Sequence, residues 1–120
     1  MKTGATFDLA KAASVDLKQA AAYAADSIVS RTLLRTAAVQ VTLFAFNEGQ
    51  ELTPHTNQRR ALVQILEGEC DFFFGGTWQR LQAGALIHLP PNDPHAVKAA
   101  GPFKMLLTLC TEPSPAALPS

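Results

Sequence analysis

The stretch GQELTPHTNQRRALVQILEG, Gly49 to Gly68, decides how the chain is read. A glycine opens it, one of only three histidines stands at position 55, and a second glycine closes the apolar run that begins at Ala61. Thr56 to Arg60 (TNQRR) is polar and links the histidine to that run. The stretch Gly84 to His95 (GALIHLPPNDPH) has the same construction, with Pro90 and Pro91 ahead of its histidine. Short apolar runs bracketed by glycine, proline and asparagine read as strands joined by turns.

Outward from these two stretches the same character persists. Ile28 to Leu34 and Val39 to Phe46 are strand-length runs rich in β-branched and aromatic residues. Asn47-Glu48-Gly49, Glu67-Gly68, Gly75-Gly76, Ala83-Gly84, Pro90 to Pro94 and Gly101-Pro102 supply turns at short intervals. Gly75-Gly76 predicts a hairpin, because two glycines accept the positive φ angles of a two-residue connection. Alternation then places Cys70, Phe72 and Phe74 on a core face and Phe73, with Trp78 across the hairpin, on the outer face. An outer aromatic pair of this kind is covered either by the N-terminal segment or by a second subunit, so a homodimer is one expectation. Residues 16 to 25 (DLKQAAAYAA) are alanine-rich and predict a short helix begun by Asp16. The chain thus divides into an N-terminal arm at 1–27, an all-β barrel or double sheet at 28–110, and a proline-containing surface tail at 111–120.

With 120 residues there is room for one core and no second module. Ten basic and ten acidic residues cancel, so no long-range field favours nucleic acid or an anionic membrane as partner. No apolar run approaches the roughly 20 residues a membrane span needs, and Met1 to Ala10 lacks the pattern of a signal peptide, which makes a cytoplasmic protein the expectation. Cys70 and Cys110 lie in or beside apolar runs without Cys-x-x-Cys spacing and read as buried thiols.

The two glycine- and histidine-bearing stretches resemble the paired motifs of the cupin superfamily. Gly49, His55 and Gly68 match G-x5-H-x-H-x3-E-x6-G, while Gly84, Pro90 and His95 match G-x5-P-x-G-x2-H-x3-N. The resemblance runs from about Ile28 to Cys110, looks like that of uncharacterised bacterial stand-alone cupins, and implies a jelly-roll barrel. It also implies a metal site built from three histidines and a carboxylate. Carried over by position, His55 and His95 are kept, but Asn57 stands for the second histidine and Ala61 for the carboxylate. Asn92 replaces a motif glycine and Ala99 the final asparagine.

Two readings of the pocket follow. His55 and His95 hold one divalent transition metal (zinc, nickel, manganese or iron), or they face a polar cavity and hydrogen-bond a ligand or water. Asn57, Arg59 and Arg60 join them as ligand-binding candidates, since paired guanidinium groups grip a carboxylate or phosphate. His88 alternates with Ile87 and Leu89 and is expected on the surface or at an interface. Pro90 to Pro94 stiffens the approach to His95. Three functions compete: a small-molecule-binding cupin, a metal-dependent dioxygenase, isomerase or decarboxylase, and a dimerising interaction module. Whether any of them is enzymatic is left open by fold alone.

Overall fold

A computed structural model describes residues 4–112. Nine strands run in chain order: β1 (Ile28–Arg35), β2 (Val39–Phe46), β3 (Glu51–His55), β4 (Arg60–Glu67), β5 (Glu69–Phe74), β6 (Thr77–Gln82), β7 (Leu86–Leu89), β8 (His95–Ala99) and β9 (Phe103–Cys110). They form a five-stranded sheet ordered β1-β2-β9-β4-β7 and a four-stranded sheet ordered β3-β8-β5-β6, with every pairing antiparallel. Chain neighbours β3 and β4 lie in different sheets, as do β7 and β8, so the chain crosses between layers as a jelly roll does.

Between the sheets Phe46, Val63, Ile65, Cys70, Phe72, Ile87, Leu89, Val97, Phe103 and Met105 make one contiguous core. Each comes from the inward phase of its strand, as the two-residue period of a pleated strand requires. Phe46 and Phe103, both fully buried in this cluster, stack with ring centroids 4.7 Å apart. The expected hairpin joins β5 to β6 through Gly75 and Gly76, at φ 59° and 86°. Gly68, at φ 77°, admits no side chain, because a Cβ there would stand 2.1 Å from the Pro102 carbonyl oxygen.

The expected helix at 16–25 does not form. Asp16 does accept the Lys18 amide at 3.0 Å, but only one turn follows. The arm instead crosses the outside of the five-stranded sheet in irregular conformation, and Ala20 and Ala21 are buried there with Leu33, Leu43 and Ala45. Helix propensity is worth tenths of a kcal/mol per residue, less than covering an apolar sheet face. Polar groups fasten the arm: the Lys104 ammonium donates to the Lys18 carbonyl at 2.8 Å and the Arg31 guanidinium to the Ala20 carbonyl at 3.0 Å. The Tyr23 hydroxyl donates to Glu67 at 2.7 Å, and burial, with that carboxylate beside it, raises its pKa. The arm therefore covers the sheet opposite to the one carrying Phe73 and Trp78. That aromatic pair forms on the outer face as expected, with centroids 5.5 Å apart, and Trp78 is 46% exposed.

At the other end Thr111 bonds to the Ala38 carbonyl, while the rest of the expected tail, 113–120, lies outside the described residues. Among the described residues no helix is long and apolar enough to cross a membrane.

Candidate functional site

His55 ends β3 and His95 begins β8, and the two residues are register partners. Leu52, three residues before His55, packs against the core, so in a regular strand His55 would face the opposite way. A bulge corrects this: three steps along β3, from Leu52 to His55, are matched by two along β8, from Val97 to His95. The extra residue returns His55 to the face of Leu52 and of His95, Val97 and Ala99. Pro54, lacking an amide hydrogen, fits within this bulged edge strand.

The imidazoles meet edge to face, with centroids 4.2 Å apart and planes at 64°. Each ring bonds through Nδ1 to the backbone carbonyl two residues earlier, His55 to Thr53 at 2.8 Å and His95 to Asp93 at 3.0 Å. A carbonyl only accepts, so each neutral ring carries its proton on Nδ1 and offers the Nε2 lone pair as an acceptor. Burial holds the His95 pKa below the ordinary imidazole value, against the pull of the Asp93 carbonyl, and the neighbouring His55 adds to the lowering.

The loops around the pair are tied to one another. Asn57 accepts the Arg59 amide on Oδ1 at 2.8 Å, and its backbone carbonyl accepts the Asn92 amide at 2.7 Å. Its side-chain oxygen is thereby engaged in a local turn, and its carbonyl braces the loop that presents His95. Asn92 stands at φ 67°, a left-handed conformation that asparagine tolerates, which explains how it can replace the motif glycine.

Alternation separates the two arginines. Ala61, Val63 and Ile65 are the inward residues of β4, so Arg60 faces outward, where it pairs with Glu112 and donates to His88 Nε2 at 2.6 Å. The structure does not bring Arg60 to the histidine pair. His88 lies on that outer surface, between the buried Ile87 and Leu89. Arg59 directly precedes β4 in the position that continues the inward phase, and it is half-buried. Two polar residues went unnoticed in the sequence: Gln40 and Thr42, in phase on β2 with the core residues Phe44 and Phe46 and joined at 3.4 Å. Gln40 pairs with Leu109 and Leu109 with Ala61, which places them at the barrel end where the His55 and His95 loops emerge. The polar-apolar alternation of Val39 to Phe46 was the signal that could have found them.

A cupin-domain family model matches residues 42–110, more than half of the chain. The chain belongs to the cupin family. Similar solved structures include a conserved protein of unknown function from Streptococcus pyogenes, 30% identical, covering 95% of this chain and 98% of that one with TM-score 0.80. A cupin 2 conserved barrel domain protein from Leptotrichia buccalis is 34% identical over 81% of this chain and 47% of its own length, with TM-score 0.76. A cupin superfamily protein from Desulfitobacterium hafniense is 25% identical over 77% of this chain and 84% of that one, with TM-score 0.73. A comparison with curated proteins found no match.

Cupin folds often carry a metal, a role that demands several converging donors. Among the described residues no three histidine, cysteine, aspartate or glutamate side chains converge on one point. The site offers two imidazole nitrogens, the neutral Asn57 oxygen already accepts the Arg59 amide, and Ala61 is buried with nothing to donate. This does not fit the three or four donors of a resident transition metal. Cys70 adds none, since its thiol sits in the core with its pKa pushed up by burial to about 12.

Proposed function

We propose that this cupin binds a small organic molecule at the mouth of its barrel, with the Nε2 atoms of His55 and His95 as paired acceptors. The observation that carries this reading is the matched Nδ1 bonding of the two rings, which leaves equivalent Nε2 lone pairs on register partners of adjacent strands. Such a pair selects hydroxyl or amino hydrogens on the ligand. Thr42 and Gln40 add polarity to the same end of an otherwise apolar barrel, the combination typical of small-molecule sites. The inward phase of Arg59 supplies a cation, so a short hydroxy acid combines the groups this mouth would recognise. Asn57 serves the site through the loop it braces.

Titration of lactate, malate and glycolate into isotope-labelled protein, followed through the imidazole nitrogen resonances, tests the reading. At least one acid is expected to shift Nε2 of both histidines, and His55→Ala and Arg59→Ala are each expected to weaken it about tenfold or more. Shifts confined to other residues, or binding indifferent to both substitutions, would reject it.

A further inference from the structure

The inward phase of β4 breaks at its far end. Ile65 packs in the core, and Glu67, two residues on, would face the same way in a regular strand. A bulge prevents this: the two steps from Ile65 to Glu67 are matched by one along β9, from Met105 to Lys104. Glu67 is turned outward beside Lys104, where the N-terminal arm crosses the sheet. There it accepts the Tyr23 hydroxyl on Oε2 at 2.7 Å, while Leu66 and Leu17 both pack against the apolar cluster under the arm.

Between arm and sheet these residues leave a cleft of about 230 Å³, lined by Leu17 and Lys18 of the arm and by Leu66 and Glu67 of β4. It lies outside the barrel, at the end of β4 remote from Ala61 and the histidine loops. An apolar cavity of about 150 Å³ is enough to hold a benzene-sized molecule, so the space suits a ligand with a short aliphatic body. The charges at its edges are unequal in availability. Glu67 Oε1 lies 3.9 Å from the Lys104 ammonium, too far for a hydrogen bond, and has no donor among the described residues. Lys104 is withheld from any ligand: it is buried, its ammonium donates to the Lys18 carbonyl, and it sits 5.2 Å from the centre of the Tyr23 ring. Lys18 is the opposite case. Its backbone is pinned by that bond, but its side chain is exposed and has no ion-pair partner among the described residues.

Two leucines, one free carboxylate oxygen and one free ammonium form a complementary set. A simple carboxylate would be opposed by Glu67, and a simple amine would leave Lys18 unpaired. We propose that this cleft binds a small aliphatic α-amino acid, its ammonium on Glu67 Oε1, its carboxylate on Lys18 and its side chain between Leu17 and Leu66. Such a ligand touches arm and sheet together, so its binding fastens the arm over β4. The site is separate from the barrel mouth and does not rest on the hydroxy-acid reading.

Free L-leucine, isopentylamine and isocaproate share one carbon skeleton and differ only in the charges they carry. Each is titrated to about 20 mM into isotope-labelled protein, because a ligand this small binds in the millimolar range. Leucine is expected to shift the backbone amides of Leu17, Lys18, Leu66 and Glu67 and to slow hydrogen exchange in the arm. Each analogue should bind at least about threefold more weakly. Glu67→Gln, which keeps an acceptor for the Tyr23 hydroxyl, should weaken leucine about tenfold. Lys18→Ala, which keeps the carbonyl that holds Lys104, should weaken leucine about threefold and leave the amine unaffected. The analogues and Lys18→Ala test the site even where Glu67→Gln does not fold. Unmoved amides at these four residues, an analogue that binds as tightly as leucine, or a folded variant that binds leucine like the parent would each overturn the proposal. So would leucine shifts confined to the His55 and His95 imidazoles.

Discussion

His95 and Asn92 show how single positions carry this site. Asn92 keeps a backbone conformation that the motif reserves for glycine, and so the sequence difference is conformationally silent. His95 does the reverse: its identity is kept, but its surroundings make it a neutral base. Because burial lowers its folded pKa below the unfolded value near 6.5, the unfolded chain binds the proton more tightly than the fold does. The stability linked to neutral His95 is therefore fully present above pH 6.5 and is lost as pH falls through the lower folded value. Thermal melts between pH 7.5 and pH 5 should show this, with the parent losing more stability on acidification than His95→Gln. Equal pH slopes for the two proteins would show that His95 is not the group responsible. Proton affinity of this kind was not legible in the sequence, which gives the histidine and its rigid approach but not its burial.

At the scale of elements, the strands were legible because period-two alternation and glycine-proline punctuation point the same way. The bulge in β3 was not, although it alone returns His55 to the face of Leu52, from which a regular strand would turn it away. Arg60 was misplaced for a related reason. Adjacency to Arg59 in the sequence points it to the mouth, whereas the inward phase of Ala61 sends it outward to His88 and Glu112. The N-terminal arm is not a helix because covering the apolar sheet face outweighs its local propensity. Its role as a cover makes a prediction: Ala21→Glu puts a carboxylate against Leu33, Leu43 and Ala45, where Ala21 is 5% exposed. A stability loss of about 2–3 kcal/mol is expected in urea denaturation, together with faster proteolysis of the arm. Ala22→Glu, one residue away and exposed, should change neither.

For the whole molecule, the jelly roll explains why family membership and chemistry separate so cleanly. The fold requires the turns at Gly68 and Gly84, the inward apolar phases and the crossing of loops at one barrel end, and all of these are present. A metal requires donors, which are side chains the fold does not need, and here Asn57 and Ala61 stand where two of them would be. The motif could show that loss in the sequence; only the structure shows that the Asn57 oxygen is already bonded. The consequence is measurable through linkage. A resident metal with micromolar affinity, supplied at about 100 µM, would stabilise the fold by roughly 2.7 kcal/mol. In a domain of this size that corresponds to a rise in melting temperature of roughly 10 °C or more. Two imidazoles alone hold zinc far more weakly, so the melting temperature of chelator-treated protein is expected to rise by less than about 2 °C on adding zinc, nickel, manganese or iron(II) at that concentration. His55→Ala should respond like the parent. A large rise in the parent that His55→Ala abolishes would mean that other atoms complete the coordination shell, and would return this barrel to the metal-binding cupins.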